Sequence, residues 1–198
     1  MNLEQLTATA RALVDNSRGI LAADESSPTI KKRFDSIGVE STEESRRAYR
    51  DMLFSTAGAE DYVSGVILFE ETLFQNSADG TPFPQLLASK NVIPGIKVDK
   101  GAKPLAMCPG ETVTEGLDGL RDRLIRYREA GARFAKWRAV INISEDTPTS
   151  TCIETNAHAL ARYAALCQEQ DIVPIVEPEV IMDGSHDIET CEDVTSAT

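Results

Sequence analysis

The chain has 198 residues, 41% hydrophobic and 26% charged, which suits one sizeable domain with its own core and excludes a disordered composition. Its net charge of −12 disfavours general attraction to nucleic acid or to an anionic membrane, so any anionic ligand must be held by a local cluster of cations. No apolar run approaches the ~20 residues of a membrane span, and four scattered cysteines (Cys108, Cys152, Cys167 and Cys191) form no CxxC pair, which predicts a soluble cytoplasmic protein with reduced thiols.

Met1 to Asn16 has the apolar spacing of an amphipathic helix at Leu3, Leu6, Ala10, Leu13 and Val14, with Glu4 early and no apolar h-region, so it is not a signal peptide. Gly19 breaks the pattern, and Ile20 to Ala23 reads as a buried strand running into Asp24, Glu25 and Ser26. Ser27 is the predicted N-cap of the next helix, with Pro28 at its first position, an apolar stripe at Ile30, Phe34 and Ile37, and Gly38 as its stop. The N-terminus lined by Ser26, Ser27 and Thr29 is either a phosphate site or plain capping. Ser41 to Glu44 reads as a capping box opening another helix, with Arg46, Arg47 and Arg50 on its polar side, where most such arginines are solvated.

Val66 to Phe69 is the second buried run, closed by Glu70 and Glu71. Ala78 to Pro84 is loop, a short helix follows around Gln85 to Lys90, and Ile96 to Asp99 is a third strand with Lys97 and Asp99 on one face. Lys103 to Glu115, rich in Gly, Pro and Thr, reads as a long loop, and Leu117, Leu120, Leu124 and Tyr127 mark a helix ended by Gly131. Phe134 to Arg138, FAKWR, is the fourth strand, a helix spans about Thr151 to Gln170, and Ile172 to Val176 is the fifth strand, ending in Glu177 and Glu179. His158 is expected on a helix surface and His186 in a loop; neither has a partner at zinc spacing, so no protein-built metal site and no cofactor is expected.

This alternation predicts βα units with parallel strands in a single α/β domain. FAKWR is its most informative stretch. A strand alternates faces with period two, so Lys136 and Arg138 point the same way as Phe134, and Ala135 and Trp137 point the other. Two cations on one strand face fit either a salt-bridged edge strand or a polar cavity. The other runs also end in charge, at Asp24, Glu70, Lys97 and Glu177 with Glu179, and chemistry in parallel α/β folds sits at the carboxyl ends of the strands. Amines beside carboxylates suit proton transfer on a small anionic substrate and carbonyl chemistry through a lysine imine. Phosphates would be held by Arg138, Arg33, Arg46 and the helix N-terminus at Ser26 to Thr29.

GILAADES, SGVILFEET, GIKVDKG, ARFAKWR and IVPIVEPE, in this order from about Leu13 to the last residue, closely resemble class I fructose-1,6-bisphosphate aldolase, the Schiff-base family. The resemblance implies a (β/α)8 TIM barrel of which only about the first five βα units are present, within a single domain over residues 1–198. It implies reversible, metal-free cleavage of fructose 1,6-bisphosphate to dihydroxyacetone phosphate and glyceraldehyde 3-phosphate, in glycolysis and gluconeogenesis. Asp24 matches the family's aspartate near the C4 hydroxyl, Lys136 the lysine assisting imine formation, and Glu177 the general acid and base. Lys97 matches a lysine at the substrate, Glu179 the second glutamate and Arg138 the arginine beside it, while Ser26, Arg33 and Arg46 match positions contacting substrate or its phosphate.

The family's imine-forming lysine, in a motif resembling LLKPNM, falls beyond this sequence, as do the last strands that hold the other phosphate. The expectation is therefore the N-terminal part of an aldolase, inactive alone, its open strand edges prone to aggregation, and assembling as a homotetramer when complete. The alternative is an inactive fragment serving as a phosphosugar-binding or interaction module. A third reading makes Lys97 or Lys136 the imine lysine.

Overall fold

Parallel strands need crossovers long enough to hold a helix, and the spacing of apolar runs in this chain provides them. The computed structural model describes residues 1–15 and 17–198. In chain order it contains α1 (Leu3–Leu13), β1 (Gly19–Ala23), α2 (Ser27–Asp35), α3 (Glu43–Ser55), a 3-10 turn (Ala59–Asp61), β2 (Val63–Leu68), α4 (Glu70–Leu73), α5 (Phe83–Ser89) and β3 (Ile93–Lys97). There follow β4 (Ala102–Pro104), β5 (Thr112–Thr114), α6 (Leu120–Glu129), β6 (Phe134–Ile141), α7 (Ser150–Glu169), β7 (Val173–Val180) and α8 (Ile188–Ala197). Five strands make one parallel sheet in the order β1-β2-β3-β6-β7, a half-barrel wall.

Several local expectations shift. Helix α1 is capped by Asn2, whose side chain accepts from the Gln5 amide, and it buries Leu6 and Leu13 while Leu3 and Val14 stay exposed. Asn16, the far end of the predicted span, lies outside the described residues. The cap of α2 is Ser26, not Ser27: Ser26 has extended ψ of 160° and Ser27 is already helical. The capping box of α3 pairs Thr42 with Ser45 rather than Ser41 with Glu44, because Thr42 Oγ1 accepts from the Ser45 amide at 3.0 Å and Ser45 Oγ from the Thr42 amide at 2.9 Å. Arg50, expected in solvent, is buried at 3% exposure together with Phe54, four residues on along the same helix face.

Proline and glycine explain the errors at β3 and β7. Pro94 and Gly95, outside the predicted strand, both lie inside β3, which begins and ends earlier than predicted and leaves Asp99 beyond its end. Strand β7 carries Pro174 and Pro178 and runs to Val180. The Val173 and Ile181 amides both donate to the β6 side, so the even-numbered nitrogens, including both prolines, face away from β6, where a missing N–H breaks no bond to that strand. The predicted loop at 103–115 contains an antiparallel hairpin of two three-residue strands, too short to register as a pattern. Thr112 Oγ1 and Thr114 Oγ1 donate to the Val140 and Arg138 carbonyls at 2.8 Å each, and Asn156 Nδ2 of α7 donates to the Thr112 carbonyl at 2.9 Å, so the hairpin is fastened across the top of β6.

Two cores flank the sheet. The larger packs Trp137, Tyr163, Leu160, Tyr127, Leu124, Phe83 and Ile96 between strands and helices. The smaller, on the inner face, joins Leu13, Ile67 and Phe134 with Ile20, Ile93, Val173 and Ile175 as a floor. Gly95 pairs with Phe134 across β3 and β6, and a Cβ there would meet the Phe134 ring at 2.3 Å. Gly95→Ala is therefore expected to cost about 1–3 kcal/mol by overpacking, measured as a shift in the urea midpoint.

Candidate active site

Above that floor the inner face changes from apolar to charged. On β6 the inward residues run Phe134, Lys136, Arg138, and on β7 they run Val173, Ile175, Glu177, Glu179. Lys136 pairs in register with Lys97 on one side and Ile175 on the other, and Arg138 pairs with Glu177. The expectation that charge marks strand ends needs correcting for these two strands. β6 continues to Ile141 and β7 to Val180, so Lys136 and Glu177 lie mid-strand and the charge belongs to the upper half of one face.

Lys136 is the hub. Its Nζ lies 3.4 Å from Asp24 Oδ2 and 3.6 Å from Glu177 Oε2, and the Lys136 and Asp24 side chains are only 11% and 12% exposed. The first distance is a long charge-assisted hydrogen bond and the second an ion pair without hydrogen-bond geometry, so both carboxylates remain available to another group. Lys97 Nζ meets Asp99 Oδ1 at 3.1 Å, and Arg138 Nε meets Glu179 Oε2 at 2.8 Å. Asp24, Ser26, Arg33, Lys97, Lys136 and Arg138 line one cavity of about 320 Å³, with Glu25, Thr29 and Asp99 among the other walls. Ser26 Oγ and Thr29 Oγ1 share a hydrogen bond at 3.1 Å at the mouth of α2. A larger hollow of about 510 Å³ beside α7, with His158 on its rim, contains none of these residues.

Burial raises the Glu177 carboxyl above its ordinary value, Lys136 opposes the shift, and Glu179 adds to it. A carboxyl held in this way stays protonated to higher pH than a free one, as a general acid requires. The linkage has a definite sign. A folded pKa above the unfolded one means that Glu177 contributes stability fully below 4.5, the ordinary glutamate value, and loses it as pH rises through the raised folded pKa. Glu177→Gln should therefore gain melting temperature relative to the parent as pH climbs through that window. Parallel thermal melts between pH 4 and pH 8 read this, and a difference independent of pH would contradict the burial argument.

Arg46 is not brought to the cavity. It forms a bidentate pair with Glu71, Nε to Oε1 at 2.8 Å and Nη2 to Oε2 at 2.7 Å, and this bonding raises its pKa further. The sequence reading passed over Glu25 and Asp99 as site walls, and Arg50 beneath them. For Arg50 the signal was present: it precedes Phe54 by four residues, on the stripe a helix buries. Among the described residues no group of three or more His, Cys, Asp or Glu could hold a metal ion, all four cysteines are free, and no helix is long and apolar enough to cross a membrane.

A parallel α/β wall whose inner face carries lysines beside carboxylates defines part of a (β/α) barrel with a site suited to proton transfer. The chain belongs to the fructose-bisphosphate aldolase class-I family, whose profile matches residues 5–198. It is 66% identical over 198 residues to a probable fructose-bisphosphate aldolase class 1 of Xanthomonas campestris, covering all of this chain and 59% of that protein. It is 58% identical over 192 residues to the cytosolic fructose-bisphosphate aldolase 6 of Arabidopsis thaliana, covering 97% of this chain and 54% of that one. Among solved structures, a Plasmodium falciparum fructose-bisphosphate aldolase, crystallised with TRAP and a small-molecule inhibitor, superposes with a TM-score of 0.94 at 54% identity over 97% of this chain and 56% of its own. The chain thus spans little more than half the length of these relatives, and its five strands correspond to part of the aldolase TIM barrel.

Proposed function

We propose that these residues form the proton-transfer wall of a class I aldolase that cleaves fructose 1,6-bisphosphate reversibly to dihydroxyacetone phosphate and glyceraldehyde 3-phosphate. The observation that carries the reading is the Asp24–Lys136–Glu177 cluster on the inner face, with Lys136 within 3.6 Å of both carboxylates. Class I chemistry forms an imine between a lysine and the substrate carbonyl; in the family that lysine belongs to a later strand. In this chain Lys136 assists by giving and taking protons at the carbonyl carbon's leaving water. Glu177, protonated to higher pH than an ordinary glutamate, acts as the general acid and base, and Asp24 takes the proton of the C4 hydroxyl as the carbon–carbon bond breaks. Lys97 and Ser26 orient the substrate, Arg33 and Arg138 receive phosphate charge, and Glu179 holds Arg138 through the 2.8 Å pair.

A homotetramer and a cytoplasmic setting belong to the same reading; the first is open to light scattering, and the second is supported by the cytosolic designation of the Arabidopsis relative. A chimera tests the function. Residues 1–198 are joined to the remainder of the Xanthomonas campestris relative, and release of dihydroxyacetone phosphate is followed. Cleavage is expected; a folded chimera without it would refute the proposal. Borohydride trapping of dihydroxyacetone phosphate on the 198-residue chain should leave no adduct on Lys136 or Lys97, since both are assigned assisting roles.

A further inference from the structure

Beneath the cavity mouth lies a charge triad drawn from three elements. Glu25, in the turn after β1, forms ion pairs with Arg33 of α2 and with Arg50 of α3, the latter at 2.9 Å. The three side chains differ sharply in exposure, at 9% for Glu25, 58% for Arg33 and 3% for Arg50. Arg50 also donates from Nη2 to the Glu25 carbonyl at 3.3 Å, while its Nε and Nη1 are buried without hydrogen-bond partners. Its guanidinium lies 5.2 Å from the Tyr49 ring. Such burial is unfavourable for a cation and pulls the Arg50 pKa down; Glu25 opposes this most, followed by Tyr49 and Asp24.

We propose that Arg50 is a positioning residue that, through Glu25, holds Arg33 at the cavity mouth with its charge available to a substrate phosphate. The inference rests on the aldolase reading of the cavity. One carboxylate between two guanidiniums leaves the triad with a net charge of +1, and the exposed member carries it into the cavity. Without Arg50 the pair Glu25–Arg33 is neutral, and a phosphate would have to strip Glu25 of its one remaining cation in the triad. With Arg50 in place Glu25 keeps a buried partner when Arg33 turns to the phosphate. Arg50 itself does not line the cavity, so its influence passes through Glu25.

The test uses Arg50→Met, Arg50→Lys and the double variant Glu25→Gln with Arg50→Met in the chimera described above. Arg50→Met should raise KM for fructose 1,6-bisphosphate roughly tenfold, equivalent to ~1.4 kcal/mol, with kcat changed less than about twofold. The double variant should recover most of the loss, because removing the Glu25 charge frees Arg33 again. Arg50→Lys, which keeps the charge but not the fork, should fall between parent and Met. An unchanged KM in Arg50→Met, or a double variant no better than the single, overturns the proposal; should the Met variant fail to fold, a parental KM in Arg50→Lys does so. A second arm needs no catalysis. Titration of the 198-residue chain with inorganic phosphate, read on the Arg33 guanidinium signal by NMR, should show the same order of affinities. That order in a chimera that cleaves nothing would sink the aldolase reading and sustain the role of Arg50; equal phosphate affinities in parent and Arg50→Met would sink the role of Arg50 even if the chimera cleaves.

Discussion

Lys136→Met in the chimera is expected to lower kcat for fructose 1,6-bisphosphate cleavage by about 10²- to 10⁴-fold, the range of a lost general acid or base, with KM changed far less. Methionine keeps the length and most of the volume of the lysine stem, so the variant tests the ammonium rather than the packing. The ammonium stands between Asp24 at 3.4 Å and Glu177 at 3.6 Å, and no other side chain forms an ion pair with both carboxylates among the described residues. Removing it also removes the largest influence that lowers the Glu177 pKa, so the Glu177 carboxyl should be held protonated to still higher pH. The activity lost and the pH profile should therefore move together: a lower plateau, with the alkaline limb set by the Glu177 acid displaced upward. Arg138, paired with Glu179 at 2.8 Å, remains as the lesser cation acting on Glu177 and forms no ion pair with Asp24. Retention of near-parental kcat in a folded variant would reduce Lys136 to a structural ion pair. The alternative of an edge strand laced with salt bridges would then account for FAKWR.

How much of this was legible depended on which interaction dominated each residue. The period-two pattern of FAKWR placed Phe134, Lys136 and Arg138 on one face without any tertiary knowledge, and the register bears that out. The apolar stripe Leu120, Leu124 and Tyr127 was equally plain, because amphipathic burial follows the helix repeat, and all three are fully buried. Strand ends were misread where Pro and Gly occur for tertiary reasons. Gly95 gives room to the Phe134 ring, and Pro174 and Pro178 occupy nitrogens that face away from β6. Such reasons involve a neighbour strand, which local propensity does not see. The hairpin escaped notice because each of its strands has three residues and their partners are the Arg138 and Val140 carbonyls and Asn156, far along the chain. Arg50 was placed in solvent by its residue type, and Arg46 was assigned to phosphate by its motif. The pairs Arg50 with Glu25 and Arg46 with Glu71 span 25 residues each and become visible only in three dimensions.

Trp137→Ala should lose about 3–5 kcal/mol of unfolding free energy. Trp137 follows Lys136 directly, yet it points outward, is fully buried in the larger core, and stacks at a tilt on Tyr163 of α7 with ring centroids 5.5 Å apart. It therefore fastens α7 to the strand whose other face carries the site, and the helix is also tied to that region by Asn156. Truncation removes an aromatic contact as well as buried area, which puts the loss at the upper end for a core residue. Phenylalanine separates these contributions. The indole Nε1 is buried without a hydrogen-bond partner, so Trp137→Phe gives up some volume but also removes an N–H that burial disfavours. Its net effect should be no more than about 1–1.5 kcal/mol. Urea unfolding of both variants, with equal m-values checked first, measures the difference. A Phe variant as unstable as the Ala variant would mean that the indole N–H is satisfied in solution, and that β6 is held to α7 by a polar contact rather than by packing alone.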